Sequence, residues 1–453
     1  MTGIGKSLTL GALVEEGKMI IQTGPFGSQL HKHDYCSSGV PVVPTEAIGH
    51  RRLRTGGVPQ IGPKKADELA RHRLKSGDIL FARRGVQATG YSAIVEPQHQ
   101  GWICGTGAIL LRILDDDIDP IYLSFHLASI ESIAWLKQHA VGAVMPNLNE
   151  GILRQFPLEL PPLKVQRRIA DILGSLDDKI ELNRRMNETL EAMVRRLFRS
   201  WFVDFDPVHA KAAVRREHPK WDNVRVSREA LPSLVPAIAE AFPDEFEDLE
   251  LGPIPKGWRV GAVDDLAALD KTSVKPAEFP TEEFDHYSIP AYDEGQQPAR
   301  DLGDSIKSNK FLVSEDCVLL TKLNPRIPRV WLPNISACRR SICSTEFLVL
   351  RPKDSVSQPF LFAHVSSSAF FGVYATMVTG TSGSHQRIRP DALLAMPAVL
   401  PPQSVVDAFT KTVADVLEMR ASLRTETQQL ASTRDRLLPR LLSGELNTGV
   451  AKE

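Results

Sequence analysis

From Leu163 to Asp206 the chain contains no proline, and its apolar residues recur at alternating steps of three and four. Ile169, Leu173, Leu176, Ile180, Asn183, Asn187, Leu190, Val194, Leu197 and Trp201 fall on one seam. A stripe with this period, held over several heptads, belongs to a helix that packs along another helix. Pro161 and Pro162 stand just before it, where the first N–H groups of a helix lack partners anyway. At 1.5 Å per residue such a helix is about 55–60 Å long, more than a compact domain needs. Asn183 and Asn187 interrupt the seam. They read either as solvated breaks or as polar positions that fix register and partner.

A partner helix lies in the same chain. Leu400-Pro-Pro repeats Leu160-Pro-Pro, and Phe156-Pro157 matches Met396-Pro397 at the same offset. Carried forward, the seam becomes Phe409, Val413, Val416, Arg420, Leu423, Thr427, Leu430, Arg434, Leu437 and Leu441. The repeat also reaches upstream. Leu123-Ser-Phe-His-Leu-Ala-Ser129 matches Leu361-Phe-Ala-His-Val-Ser-Ser367, and Gly77-Asp-Ile-Leu-Phe81 matches Glu315-Asp-Cys-Val-Leu319. The chain is a globular unit plus a long helix, written twice.

Lysines and arginines (54) nearly cancel aspartates and glutamates (55), so no global field draws the chain to a polyanion. Nucleic-acid binding would have to come from local patches or from partners. Five cysteines without a C-x-x-C pair suit reduced thiols in a cytoplasm. No stretch has the length and apolarity of a membrane span, and no secretory leader is evident, so we expect a soluble cytoplasmic protein without membrane contact.

Two local basic patches stand out. The first gathers Arg51, Arg52, Arg54, Lys64, Lys65, Arg83 and Arg84; the second gathers Lys307, Lys310, Lys322, Arg326 and Arg329. Such clusters are the footprint of phosphate contacts, or else solvated surface with nothing bound. Between each patch and the following long helix lies a short strand-like segment, 142–149 in the first half and 380–389 in the second. In phase, Asn147 and Asn149 match Arg387 and Arg389, with His385 and Gln386 just before. Strand side chains alternate, so the central Leu148 or Ile388 points in and its neighbours point out. Asn pairs bidentately with adenine and Arg with guanine in the major groove; the bland reading is polar surface near a glycine turn.

Elsewhere the signals are thin. Met1-Thr-Gly-Ile-Gly-Lys-Ser7 lacks the strand and earlier glycine of a phosphate-binding loop. His31, His33 and Asp34 have no further ligand at metal spacing and read as a polar loop, so no metal is expected. No hydrolase, zinc-protease, nuclease or helicase motif appears, and Asn324-Pro-Arg326 lacks the rest of an adenine-methylating motif. Residues 204–257 read as a partly ordered connector with a short helix near 235–241, and the tail after Leu446 as frayed. A binding module fits better than an enzyme.

Leu160-Pro-Pro-Leu-x-x-Gln-Arg-Arg-Ile-Ala, Leu176-Asp-Asp-Lys-Ile-Glu-Leu-Asn-Arg-Arg-Met-Asn-Glu-Thr-Leu-Glu and Trp201-Phe-Val-Asp-Phe-Asp-Pro207 resemble the DNA-specificity subunit of type I restriction–modification systems. So do Leu251-Gly-x-Ile-Pro-Lys-Gly-Trp258, Gly24-Pro-Phe-Gly-Ser28 and Leu437-Leu-Pro-Arg-Leu-Leu-Ser-Gly-Glu-Leu446. The resemblance implies an α+β fold with two globular α/β target-recognition domains in pseudo-twofold repeat, separated by two long antiparallel coiled-coil helices. The expected boundaries are 1–158 and 251–398 for the recognition domains and 159–203 and 399–446 for the spacer helices, with a connector at 204–250 and a tail at 447–453. The family implies a non-catalytic chain that reads a bipartite, asymmetric site on double-stranded DNA and docks two modification subunits. Those subunits carry S-adenosylmethionine and methylate adenine, so no cofactor is expected in this chain. A translocating restriction subunit is a further partner in systems that have one. The helix pair would act as a ruler for the unread gap, about one DNA turn between half-sites in dimeric readers. The alternatives are an orphan methylation-only subunit, a coiled-coil scaffold that never touches DNA, and an enzyme with an unrecognised site.

Overall fold

The computed structural model describes residues 6–26, 29–85, 88–142, 146–335, 338–353, 355–378 and 386–446. The chain divides into two compact units, Met1–Leu182 with Glu426–Glu453, and Asn183–Thr425. Two helices of forty residues, Leu163–Phe202 and Gln403–Leu442, each give one part to each unit. Both start from the repeated prolines in the same way. The Pro162 carbonyl accepts from the N–H groups of Val165 and Gln166, and the Pro402 carbonyl from those of Val405 and Val406.

Within the first unit, Lys6–Thr9 pairs antiparallel with Pro157–Leu160. A four-stranded antiparallel sheet follows in the order Met19–Thr23, Ala108–Ile113, Ile79–Ala82, Ser92–Ile94. A second sheet has the order Tyr35–Cys36, Gln60–Ile61, Val40–Val43, Ile103–Cys104, its last pair parallel. Strand Ile79–Ala82 is buried on both faces, which explains its unbroken apolar run.

The second unit repeats this plan. Arg259–Ala262 pairs with Pro397–Leu400, and the antiparallel sheet runs Ala267–Asp270, Phe347–Pro352, Val318–Thr321, Val330–Trp331. Its further sheet has five strands, with Glu283–Tyr287 and Ser341–Cys343 as the parallel pair. In each unit two helices cover the antiparallel sheet's end, Pro120–Leu127 and Ile130–His139 in one, Gln358–Val365 and Ser368–Tyr374 in the other. The repeated serines Ser129 and Ser367 cap the second helix of each pair, their hydroxyls accepting from the N–H groups of Ser132 and Phe370.

The long helices run antiparallel inside each unit. In the first, Ile169 and Leu173 meet Leu438 and Leu441 around Tyr122 and Phe125. In the second, Phe198, Trp201 and Phe202 pack on Phe409, with Phe360 and Trp258 in the same core. Of the expected seam, Ile169, Leu173, Asn183, Asn187, Val194 and Trp201 are buried, while Leu176, Ile180, Leu190 and Leu197 are half-buried. The buried stripe takes in Asp177 and Phe198 as well, because a 3.6-residue turn drifts off a strict heptad. On the second helix the buried seam residues are Phe409, Val413, Arg420, Leu423 and Leu441.

The connector is more ordered than its composition suggests. It holds three helices, Asp206–Glu217, Asn223–Ala230 and Pro236–Ala241. Buried Lys211 fastens them, its ammonium donating to Asn223 Oδ1 at 2.8 Å and to the carbonyls of Ala239 and Phe242. Among the described residues no helix is long and apolar enough to cross a membrane. The tail after Leu446 lies outside the described residues.

Candidate nucleic-acid interface

Both units build an edge where the inner sheet strand meets the segment that leads to the long helix. In the first, the Arg83 N–H donates to the Gly107 carbonyl, and the Leu148 N–H donates to the Arg83 carbonyl, each at 2.9 Å. Arg84 and Asn147 form an antiparallel bridge beside them. Leu148 is buried, so Asn147 and Asn149 turn outward, as strand alternation requires. Arg83 Nε donates to Asn147 Oδ1 at 3.2 Å, and its guanidinium lies 4.8 Å from the centre of the Phe26 ring, a residue 44% exposed. Asn149 Oδ1 accepts from the Ile152 N–H at 2.9 Å and so caps the short helix Glu150–Arg154.

In the second unit the Lys322 N–H donates to the Glu346 carbonyl, and the Ile388 N–H to the Lys322 carbonyl, each at 3.0 Å. Leu323 and Arg387 form the antiparallel bridge, and the Asn324 N–H reaches the Gln386 carbonyl at 2.9 Å. Arg387 Nε and Nη2 donate to the two Glu346 carboxylate oxygens at 3.0 and 2.9 Å, a bidentate pair. The Arg387 hydrogen bond holds the Glu346 carboxyl below its usual range, even though part-burial pushes the other way. Arg389 is exposed at the start of the helix Pro390–Leu394. Asn147 and Arg387 thus occupy the same ladder position, as the sequence register indicated. His385 lies outside the described residues.

Several residues of the expected patches sit elsewhere. Arg51, 6% exposed, pairs with Asp177 of the first long helix; Arg52 reaches Asp177 at 2.6 Å, Asp178 at 2.6 Å and also Glu96. Arg434 of the second long helix joins them, 2.8 Å from the other Asp177 oxygen. Burial alone would raise the Asp177 pKa, but the Arg51 and Arg52 charges outweigh it and hold the carboxyl down to about 2. These two arginines fasten the unit to its helices, which corrects their reading as phosphate contacts. Lys310 is buried with Nζ 2.6 Å from Ser308 Oγ, and buried Arg329 is bidentate to Asp293 at 2.7 and 2.8 Å. They too leave the set of surface cations. Lys65 pairs with Glu68 at 2.9 Å, while Arg54, Lys64, Arg84, Lys307 and Arg326 are exposed and Lys322 half-buried. Asp34 accepts from the His31 N–H at 2.7 Å, tying the histidine loop to itself.

Composition could not have revealed Glu346 or Asp177. Both look like ordinary surface carboxylates, and each meets its arginines only through the fold.

Residues 55–192 match the family model described as the type I restriction modification DNA specificity domain. The chain is 25% identical over 415 residues to the HindI type I restriction enzyme specificity subunit of Haemophilus influenzae, covering 83% of this chain and 88% of that one. Over these spans the chain is similar to type I restriction–modification specificity subunits. A further relative, the MjaIX type I restriction enzyme specificity subunit of Methanocaldococcus jannaschii, is 22% identical over 427 residues, 91% of this chain and 88% of its own. Among solved structures, the type I restriction–modification S subunit from M. genitalium aligns over 96% of this chain and 95% of that one, at 13% identity and a TM-score of 0.49. The span matching the specificity-domain model contains Arg83, Arg84, Asn147 and most of the first long helix.

Proposed function

We propose that this chain is the DNA-reading subunit of a type I restriction–modification complex. Each unit reads one half of a bipartite, asymmetric site on double-stranded DNA. One observation carries the reading: the same sheet edge occurs in both units, but with Asn147 at the key position in one and Arg387 in the other. The same ladder position with different polar side chains suits two half-sites of different sequence. Exposed Arg54, Lys64, Arg84, Lys307, Arg326 and Arg389, together with Lys322, supply phosphate contacts, and Gln386 flanks the reading edge. His385 belongs to the same proposal by sequence position.

The chain itself is non-catalytic. Two modification subunits dock on the long helices and bring S-adenosylmethionine for adenine methylation; a restriction subunit adds cleavage where the system has one. The work is done in the cytoplasm, on the cell's own DNA. Co-expression with the modification subunits, followed by genome-wide mapping of methylated adenines, tests this. A single two-part motif with a fixed unread gap is the expected outcome. A stable complex that methylates nothing would overturn it in favour of a scaffold, and methylation by this chain alone would reveal an enzyme.

A further inference from the structure

At the shared ladder position the two units hold their outward side chains by opposite means. In the second unit the cation is on the reading segment and the anion on the sheet: Arg387 is gripped by Glu346, whose own carbonyl anchors Lys322. In the first unit the residue whose carbonyl does that anchoring is Gly107, which offers no carboxylate. There the cation is on the sheet instead: Arg83 holds the Asn147 carboxamide oxygen while its guanidinium lies over the Phe26 ring. Arg83 Nη1 is buried and has no hydrogen-bond partner among the described residues.

We propose that Glu346 and Arg83 are positioning residues for base reading, Glu346 aiming Arg387 at a guanine in one half-site and Arg83 aiming Asn147 at an adenine in the other. The inference rests on the DNA-reading function proposed above and names the base chemistry of each unit. The physical argument is pre-organisation. A long arginine side chain loses rotamer freedom when it reads a base, and a carboxylate that fixes it beforehand removes part of that loss. Glu346 grips the guanidinium by its Nε and Nη2. A guanidinium can meet guanine O6 and N7 through its Nη1–Nη2 or its Nε–Nη2 edge; with Glu346 on the Nε–Nη2 side, the grip selects the Nη1–Nη2 edge and sets the plane in which guanine is met. A carboxamide matches N6 and N7 of adenine, and a donor fixed on its oxygen settles which way the amide faces. The two ion and amide pairs are therefore not interchangeable, and the two half-sites should differ in base accordingly.

The test maps methylated adenines in cells that co-express the modification subunits with wild-type chain or with Arg387→Ala, Glu346→Ala, Glu346→Asp, Asn147→Ala or Arg83→Ala. We expect Arg387→Ala and Glu346→Ala to relax the same single guanine position, by roughly tenfold or more in discrimination. Glu346→Asp should restore part of that loss, which a purely structural role would not do. Asn147→Ala and Arg83→Ala should relax one adenine position in the other half. The untouched half-site in each variant serves as the control for folding and assembly. If Glu346→Ala prevents assembly, Glu346→Gln, which keeps one acceptor, replaces it. Relaxation in both halves, an unchanged motif in Arg387→Ala, or a Glu346 variant that relaxes a position other than the Arg387 one would each overturn the inference. Failure of the wild-type chain to give any bipartite motif would instead sink the proposed function.

Discussion

In the first unit a single helix carboxylate, Asp177, draws in Arg51 and Arg52 from the loop between strands Val40–Val43 and Gln60–Ile61, and Arg434 from the second long helix. In the second unit the repeat register puts Leu417 and Val194 where Asp177 and Arg434 stand, and both belong to an apolar core rich in rings. Phe198, Trp201, Phe202, Phe360 and Phe409 meet there with centroids 4.9 to 6.2 Å apart. The strand order of the antiparallel sheets is the same. The repeat has therefore kept its backbone plan and changed what fastens it at these positions, although each unit also holds the other kind of contact: Ile169, Leu173, Leu438 and Leu441 pack in the first, and Glu191 pairs with buried Arg420 and Arg424 in the second. Charge fastens through a few directed bonds and fails when one partner goes; apolar packing fails by degrees.

The comparison breaks most sharply at Asp177. Asp177→Ala leaves Arg51 buried without its counter-charge, and should cost about 3–5 kcal/mol, the usual penalty for orphaning a buried ion. Hydrogen exchange should show the loss in residues of the first unit while strands Val318–Thr321 and Phe347–Pro352 keep their protection. Loss spread equally over both units would mean the ionic cluster is not local to the first.

Removing a ring tests the other fastening. Phe409 is fully buried against Phe198, Trp201 and Phe202, so Phe409→Ala should cost about 3–4 kcal/mol through lost burial and the cavity left behind. Phe409→Leu should recover more than half of this in chemical denaturation, because an apolar core tolerates a change of shape. No analogous substitution should rescue the ionic cluster, and full stability in Asp177→Glu would erase the distinction.

Acid separates the two fastenings with less force. The Asp177 carboxyl titrates at about 2 when folded, below the ordinary 3.8. A depressed folded pKa contributes stability that is present above the unfolded value and disappears as pH falls through the folded one. The first unit should thus lose about 2 kcal/mol between roughly pH 4 and 2 from this group. In Asp177→Asn that part of the acid slope should vanish, as read by urea midpoints at stepped pH. An unchanged slope would place the acid sensitivity in other carboxylates.

These contrasts also mark what a linear reading can reach. The long helices, their proline starts, the repeat and the Asn147–Arg387 register are all local or periodic patterns, and the fold keeps each of them. Arg51 and Arg52 look like surface charge because an arginine-rich stretch reads the same whether solvated or buried. Their partner Asp177 is 126 residues from Arg51, in a pair of aspartates that reads as an exposed helix face. Lys310 and Arg329 fail in the same way, since burial of a charge depends on the sheet around it. The seam was legible to within one residue, and its drift onto Asp177 and Phe198 follows from helix geometry rather than composition.

The smallest effect concerns the polar positions within the seam. Asn187 is buried in the second unit, and its Oδ1 has no hydrogen-bond partner among the described residues. An unsatisfied buried acceptor costs about 1–3 kcal/mol, so Asn187→Leu should raise the stability of the second unit by about 1 kcal/mol once steric adjustment is included. A polar residue in a helix seam is worth such a cost where it fixes register. The variant should then be more stable but less selective, with methylation spreading to sites whose unread gap is one base pair longer or shorter. A more stable variant with an unaltered gap would assign Asn187 no part in register, and leave the prolines and the ring cluster to set it.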